Sequence, residues 1–200
     1  MATINQQQLT GDEALTRLTD GNARYVQAQM EHPRRGIERR QELVGGQSPF
    51  ALVLGCADSR VSPTVLFDQG LGDLFVIRVA GNVLDTTVLA SIEYAAAFLA
   101  VPLIVVLGHS NCGAVGAAVA GKPVPGHLPD LVSIIQPAVD QVQDGGGDIL
   151  NNAIQANARR VADELAASQP VLADLVQAGT LKIVAAEYYL DDGRVEWLDK

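Results

Sequence analysis

Ala51-Leu52-Val53-Leu54-Gly55-Cys56-Ala57-Asp58-Ser59-Arg60 joins a short apolar run to a cysteine, an aspartate and an arginine. A continuous apolar run bounded by turn residues reads as a buried strand. A second such run, Leu103-Ile104-Val105-Val106-Leu107-Gly108, leads into His109-Ser110-Asn111-Cys112. The ends of parallel strands are where α/β sheets place their chemistry. Cys56 and Cys112 are the only two cysteines of the chain. Two thiolates and one imidazole form the donor set expected for Zn²⁺. Three protein ligands in place of four imply a catalytic metal with one position open.

Outward from these strands the pattern alternates. Thr10-Gly11-Asp12-Glu13 is a capping box that predicts a helix to about residue 29, with Leu15, Leu18, Tyr25 and Val26 as one apolar stripe. A second short helix is expected over 37–44, ending at Gly45-Gly46. Strands are expected at 50–54, 74–79, 103–107 and 181–187, with a short edge strand at 195–198 after the Asp192-Gly193 turn. Helices are expected at 86–100, 112–120, 131–143, 149–168 and 171–178. The alternation predicts an α/β fold: a mostly parallel central sheet of four to five strands flanked by helices, with right-handed crossovers. Two hundred residues suit one domain over 1–200, in which 1–46 form an N-terminal helical arm.

Composition narrows the function classes. Hydrophobic residues make up 48%, which excludes a disordered chain; aromatics are only 4%, so Ala, Val and Leu must fill the core. A net charge of −9 argues against nucleic acid and anionic membrane surfaces as partners. No apolar run approaches the ~20 residues of a membrane-spanning helix. Residues 1–8 have neither the basic region nor the apolar stretch of a signal peptide. Cysteines needed as thiolates suit a reducing compartment, so the expected location is cytoplasmic.

The two half-motifs, Gly55-Cys56-Ala57-Asp58-Ser59-Arg60 and Gly108-His109-Ser110-Asn111-Cys112-Gly113, resemble those of the β-class carbonic anhydrases. The likeness extends through Phe67-Asp68-Gln69-Gly70, Phe75-Val76-Ile77-Arg78, Ala80-Gly81-Asn82 and Ser91-Ile92-Glu93-Tyr94, and resumes at Tyr188 and Asp192-Gly193. It implies a zinc enzyme for the reversible hydration of CO₂, with zinc-bound hydroxide attacking CO₂ to give bicarbonate and a proton. The implied zinc ligands are Cys56, His109 and Cys112. Asp58 and Arg60 are implied to pair in an open state, while in a closed state Asp58 ligates zinc itself. Gln47 matches a glutamine that donates to the substrate oxygen. Phe75, Ala80 and Tyr188 match positions lining a small apolar pocket, some of them supplied by a partner subunit. Gly113 stands where a side chain would crowd the metal. The family further implies a homodimer or homotetramer in which the arm packs on a partner.

Two thiolates formally neutralise Zn²⁺, so its water should be less acidic than beside three imidazoles unless neighbouring groups help. Activity favouring alkaline pH is therefore expected. One subgroup of the family carries a regulatory bicarbonate site of Trp, Arg and Tyr. Arg78 and Tyr188 match two of these positions, but the third is Val53. Valine has no indole N–H, so the regulatory bicarbonate site is expected to be missing and bicarbonate kinetics to be non-cooperative. Two other readings remain open on sequence: hydrolysis of carbonyl sulfide or carbon disulfide at the same site, and a non-catalytic zinc or redox-sensing protein. The latter needs neither the Asp58–Arg60 pair nor an open metal position.

Overall fold

The computed structural model describes residues 9–198. Residues 1–8, which the sequence reads as lacking an export signal, and residues 199–200 lie outside that range. Helix α1 (Gly11–Val26) opens with the expected capping box, Thr10 Oγ1 accepting from the Glu13 N–H and Glu13 from the Thr10 N–H. It stops three residues earlier than the sequence predicts. Ala28 takes a left-handed conformation, φ +56°, and the Gln29 N–H turns back to the Arg24 carbonyl. A short α2 (Ile37–Glu42) follows, continued by one 3₁₀ turn at Leu43–Gly45.

The sheet comprises β1 (Ala51–Gly55), β2 (Leu74–Arg78), β3 (Leu103–His109), β4 (Lys182–Tyr188) and β5 (Val195–Trp197), in the order β2-β1-β3-β4-β5. The first four run parallel and β5 pairs antiparallel with β4. The connections carry α3 (Pro63–Leu66), α4 (Thr86–Phe98), α5 (Gly113–Ala120), α6 (Leu128–Val142), α7 (Ile149–Ala167) and α8 (Leu172–Gln177). The mostly parallel sheet is as the sequence predicts. The reading misses α3 and the 3₁₀ turn at Ala80–Asn82, which are too short for helical periodicity to register.

Every residue of β1 and β3 is buried, because helices cover both faces. Ala14 and Leu18 of α1 and Leu66 of α3 pack against Val53, Val105 and Leu107. Ile92 of α4 and Val161 and Leu165 of α7 pack against Leu52, Leu54, Ile104 and Val106. Each fully buried Leu or Val contributes about 1.5–3 kcal/mol relative to exposure. Small residues let α7 lie close to the sheet: a Cβ on Gly108 would sit 3.1 Å from Ile154 Cγ2.

The α1 stripe finds its cover within the chain. Leu18 is buried, and Leu15 and Tyr25 pack on the same cluster, so α1 itself does not demand the partner surface expected for it. By contrast α2 buries no residue. Ile37, Val44, Leu71, Val76, Tyr94 and Phe98 are exposed along the β2 side of the sheet, Phe98 to 77%. The chain passes from β1 to β2 on one side, while β3 lies on the other. A crevice therefore opens at the carboxyl ends of β1 and β3. Val115 of α5, Ile135 of α6 and Ile154 of α7 pack around that end together with Cys56 and Cys112.

Candidate metal centre

Cys56 is the first residue beyond β1, His109 is the last of β3, and Cys112 is the N-cap of α5. The turn between the latter two is tight, with Asn111 at φ +55°. These elements bring one ligand atom from each of Cys56, His109 and Cys112 within 4.8 Å of one another, all three residues being buried. The Ser110 carbonyl, which can only accept, holds His109 Nδ1 at 2.9 Å, so Nδ1 carries the proton. That leaves Nε2 as a lone pair, and Nε2 is buried with no hydrogen-bond partner. An imidazole oriented by a carbonyl behind it, its free nitrogen beside two sulfurs, has the construction of a metal-ligating histidine. Ser110 is itself fixed: its N–H donates to the Tyr188 carbonyl and its Oγ accepts from the Leu190 N–H, both at 2.9 Å.

The two thiols are unequal. Cys56 is pushed down, first by the Cys112 thiol donating to it and also by the backbone N–H groups of Asp58 and Gly81, against the opposing effect of burial. The thiolate so formed pushes Cys112 up, and burial adds to this. The pair thus favours holding one proton between two sulfurs. A divalent cation held by Cys56, His109 and Cys112 would take the place of that proton and ionise both thiols.

Asp58 lies at the mouth of this group, Oδ2 being 3.9 Å from His109 Nε2. The Arg60 fork grips it, Nε at 2.9 Å from Oδ1 and Nη2 at 2.7 Å from Oδ2, while the Arg60 N–H also donates to Oδ1 at 2.9 Å. These bonds hold the Asp58 carboxyl well below the usual carboxylate range. Arg78 supports the same loop from β2: its guanidinium donates to the carbonyls of Cys56, at 3.0 Å, and Asp58. Sequence reasoning treats Arg78 as a cation available to an anion. In the structure two backbone carbonyls engage it.

The other sequence candidates divide. Ala80 adjoins Gly81, whose N–H donates to Cys56 Sγ at 3.3 Å, so it borders the centre. Tyr188 is in register with His109, is buried, and meets Tyr25 hydroxyl to hydroxyl at 3.3 Å. Gly113 opens α5 beside Cys112, but a Cβ there would meet no protein atom within 4 Å, so packing within the chain does not require glycine. Phe75 is the second residue of β2 and packs on Tyr94, away from the ligands. Gln47 is exposed ahead of the amino end of β1, whereas Cys56 follows its carboxyl end. The intervening strand sets them roughly 16 Å apart along its axis. The sequence reading overlooks Ser110, Gly81 and Asn157, the last of which donates to the Gly81 carbonyl. A glycine three residues after β2 is the one signal that marks this turn.

A family model for carbonic anhydrase matches residues 51–195. Carbonic anhydrase from Mycolicibacterium smegmatis is 45% identical over 183 residues, covering 90% of this chain and 89% of that one. Carbonic anhydrase 2 from Mycobacterium tuberculosis is 43% identical over 181 residues, covering 88% and 87%. Among solved structures, a tetrameric β-carbonic anhydrase from Sordaria macrospora superposes with a TM-score of 0.76 at 27% identity, covering 94% of this chain and 95% of that one. A Coccomyxa β-carbonic anhydrase in complex with acetazolamide gives 0.73 at 29%, covering 80% and 76%. These names favour carbonic anhydrase over the carbonyl sulfide or carbon disulfide reading.

Proposed function

The chain belongs to the β-class carbonic anhydrase family, and on that premise we propose that Cys56, His109 and Cys112 hold Zn²⁺ for the reversible hydration of CO₂ to bicarbonate and a proton. The observation that carries the assignment of ligands is the buried, unpartnered His109 Nε2 beside two sulfurs at the β1–β3 crevice. Zn²⁺, when bound, supplies a Lewis acid that lowers the pKa of water and so provides a nucleophile near neutral pH. The donor set fits, since two thiolates and a neutral imidazole suit zinc and leave one position for chemistry.

The residues around the ligands set the conditions. Arg60 draws Asp58 away from the ligands and keeps it anionic, so that in an open state its carboxylate can accept a hydrogen bond from the reacting water. In a closed state Asp58 leaves Arg60 and takes the remaining ligand position. Ala80, Gly113 and Tyr188 border the space where CO₂, with no charge to bind, needs a small apolar pocket.

Phe75 and Gln47 enter that pocket from a second copy of the chain. A strand that pairs with its own copy about a two-fold axis must pair antiparallel. Pairing along the exposed β2 edge therefore sets the amino end of one sheet against the carboxyl end of the other. The partner's Gln47 and Phe75 then approach this site, and the apolar side chains along β2 are covered. This supports a homodimer or a homotetramer built from it. We assign the chain to one domain, with 1–46 as its arm, and to the cytoplasm, where a reducing environment keeps Cys56 and Cys112 available as ligands. Among the described residues no helix is long and apolar enough to cross a membrane.

Metal analysis of the purified protein should give about one zinc per chain, as one three-ligand site requires. Cys112→Ser should lose the metal or nearly all CO₂ hydration. A variant that keeps both sinks the assignment.

A further inference from the structure

Cys112 and Cys56 obtain their backbone donors differently. Cys112 begins α5, and the N–H groups of Ala114 and Val115 on that helix face its sulfur. Cys56 follows a strand and begins no helix; besides the Asp58 N–H two residues on, the Gly81 N–H reaches it from the turn after β2, at 3.3 Å. Gly81 and Asn82 of that turn are both left-handed, at φ +69° and +42°, a conformation that glycine adopts freely and asparagine tolerates. The turn is closed by the Asn82 N–H on the Val79 carbonyl at 3.0 Å. It is also wedged in place, since a Cβ on Gly81 would meet Ile135 Cδ1 at 2.8 Å and Ala114 Cβ at 3.2 Å.

One side chain reaches it from the far side. Asn157, on α7, is wholly buried and donates from Nδ2 to the Gly81 carbonyl at 2.9 Å. Its Oδ1 is buried with no hydrogen-bond partner. Its neighbours along α7 on the buried face, Ile154, Ala158 and Val161, are apolar. An amide that leaves its acceptor unmet is a poor choice for packing alone, because an apolar side chain at that position incurs no such cost. Its donor is the part in use.

We propose that Asn157 is a positioning residue of the metal centre. It fixes the Ala80–Asn82 turn so that the Gly81 N–H stays on the Cys56 thiolate. That hydrogen bond withdraws charge from the sulfur and leaves the zinc a stronger Lewis acid, offsetting part of the neutralisation by two thiolates. The inference rests on the zinc reading above and concerns how that site is tuned.

Cobalt(II) in place of zinc reports on the sulfur directly. In Asn157→Asp, which keeps the shape but loses the donor, and in Asn157→Ala, the sulfur-to-cobalt charge-transfer band should move to longer wavelength. Zinc affinity, measured by competition with a chelator, should fall about tenfold or more. Variants that hold one metal per chain with the wild-type band and affinity would overturn the proposal, whatever their melting temperature, because Asn157 would then be structural only. Wild-type protein that binds no zinc removes both this inference and the reading beneath it. Wild-type zinc with unchanged variants removes this one alone. Should neither variant fold, the ¹¹³Cd-loaded wild type decides: a scalar coupling between ¹¹³Cd and the Gly81 amide proton is expected across the sulfur, and its absence overturns the proposal.

Discussion

Asp68 and Asp58 are both aspartates gripped by arginine, yet they are built for opposite ends. Asp68 is fully buried and receives three donors from three residues: Arg24 Nε at 2.8 Å, the Glu31 N–H at 2.9 Å and the His32 N–H at 3.0 Å. It pins the segment after α1 onto the loop before β2, and Asp73 does the same nearby through Arg34 and the Gly70 N–H. Asp58 receives all its side-chain donors from one residue, Arg60, whose side chain is 54% exposed. A carboxylate tied to three places cannot leave any of them without breaking the arm. One tied to a single exposed neighbour two residues away can exchange it for another partner. The comparison teaches that the number of independent anchors, rather than the presence of an arginine, separates a structural pair from a movable one.

The largest effect should come from breaking the locked pair. Arg24→Ala leaves a buried carboxylate without its cation and should cost about 3 kcal/mol of stability, read from the denaturation midpoint. A cost below about 1 kcal/mol, typical of a surface pair, would put Asp68 in the same class as Asp58. Arg60→Ala should leave stability nearly unchanged but lower hydration activity about 10- to 100-fold with zinc retained, because Asp58 is released toward the metal. Full activity across neutral and alkaline pH would remove Asp58 and Arg60 from the mechanism.

Acid sharpens the contrast. Burial alone would raise Asp68, but the bonds from Arg24, Glu31 and His32 outweigh it and leave it below its ordinary value. A depressed carboxyl stabilises the fold above its unfolded pKa, about 3.9, and that stabilisation is lost as pH falls through the folded value. Asp68→Asn should therefore flatten the loss of stability below about pH 4. Asp58 is depressed in the same direction by Arg60. Because that pair faces solvent, Asp58→Asn should change the acid limb by less than about 1 kcal/mol. The smallest effect concerns bicarbonate. Val53 is buried in the core with Tyr188, and Arg78 is held by two carbonyls. No differential binding is then available to shift Asp58, so rates should depend on bicarbonate without cooperativity. A sigmoidal dependence would show a second site.

The sequence makes the centre legible because its parts follow strands. Cys56, His109 and Cys112 converge since parallel strands present their carboxyl ends together, and Asp58 and Arg60 come with them. What escapes it is whatever depends on the third dimension. Leu74–Arg78 has the apolar run of a buried strand but lies at the sheet edge, and a run cannot tell its own neighbours. Gln47 is close to Cys56 in number and a strand length away in space. Asn157 is one polar residue in an apolar helix face, and nothing local indicates that a glycine far back along the chain receives its hydrogen bond. Nothing local in the sequence marks the segment between α1 and α2, where Ala28, His32 and Arg34 all take left-handed conformations to carry its backbone donors to Asp68.

Asn22 of α1 donates to the carbonyls of Leu66 and Gly193 and accepts from the Val195 N–H, so the earliest helix is sealed by one of the latest segments. During synthesis α1 must wait for a segment 171 residues further on before those bonds can form. Contacts spanning such separations also carry a high loop-closure cost, which slows folding. During that interval the buried Asn22 lacks the partners at Gly193 and Val195 that satisfy it.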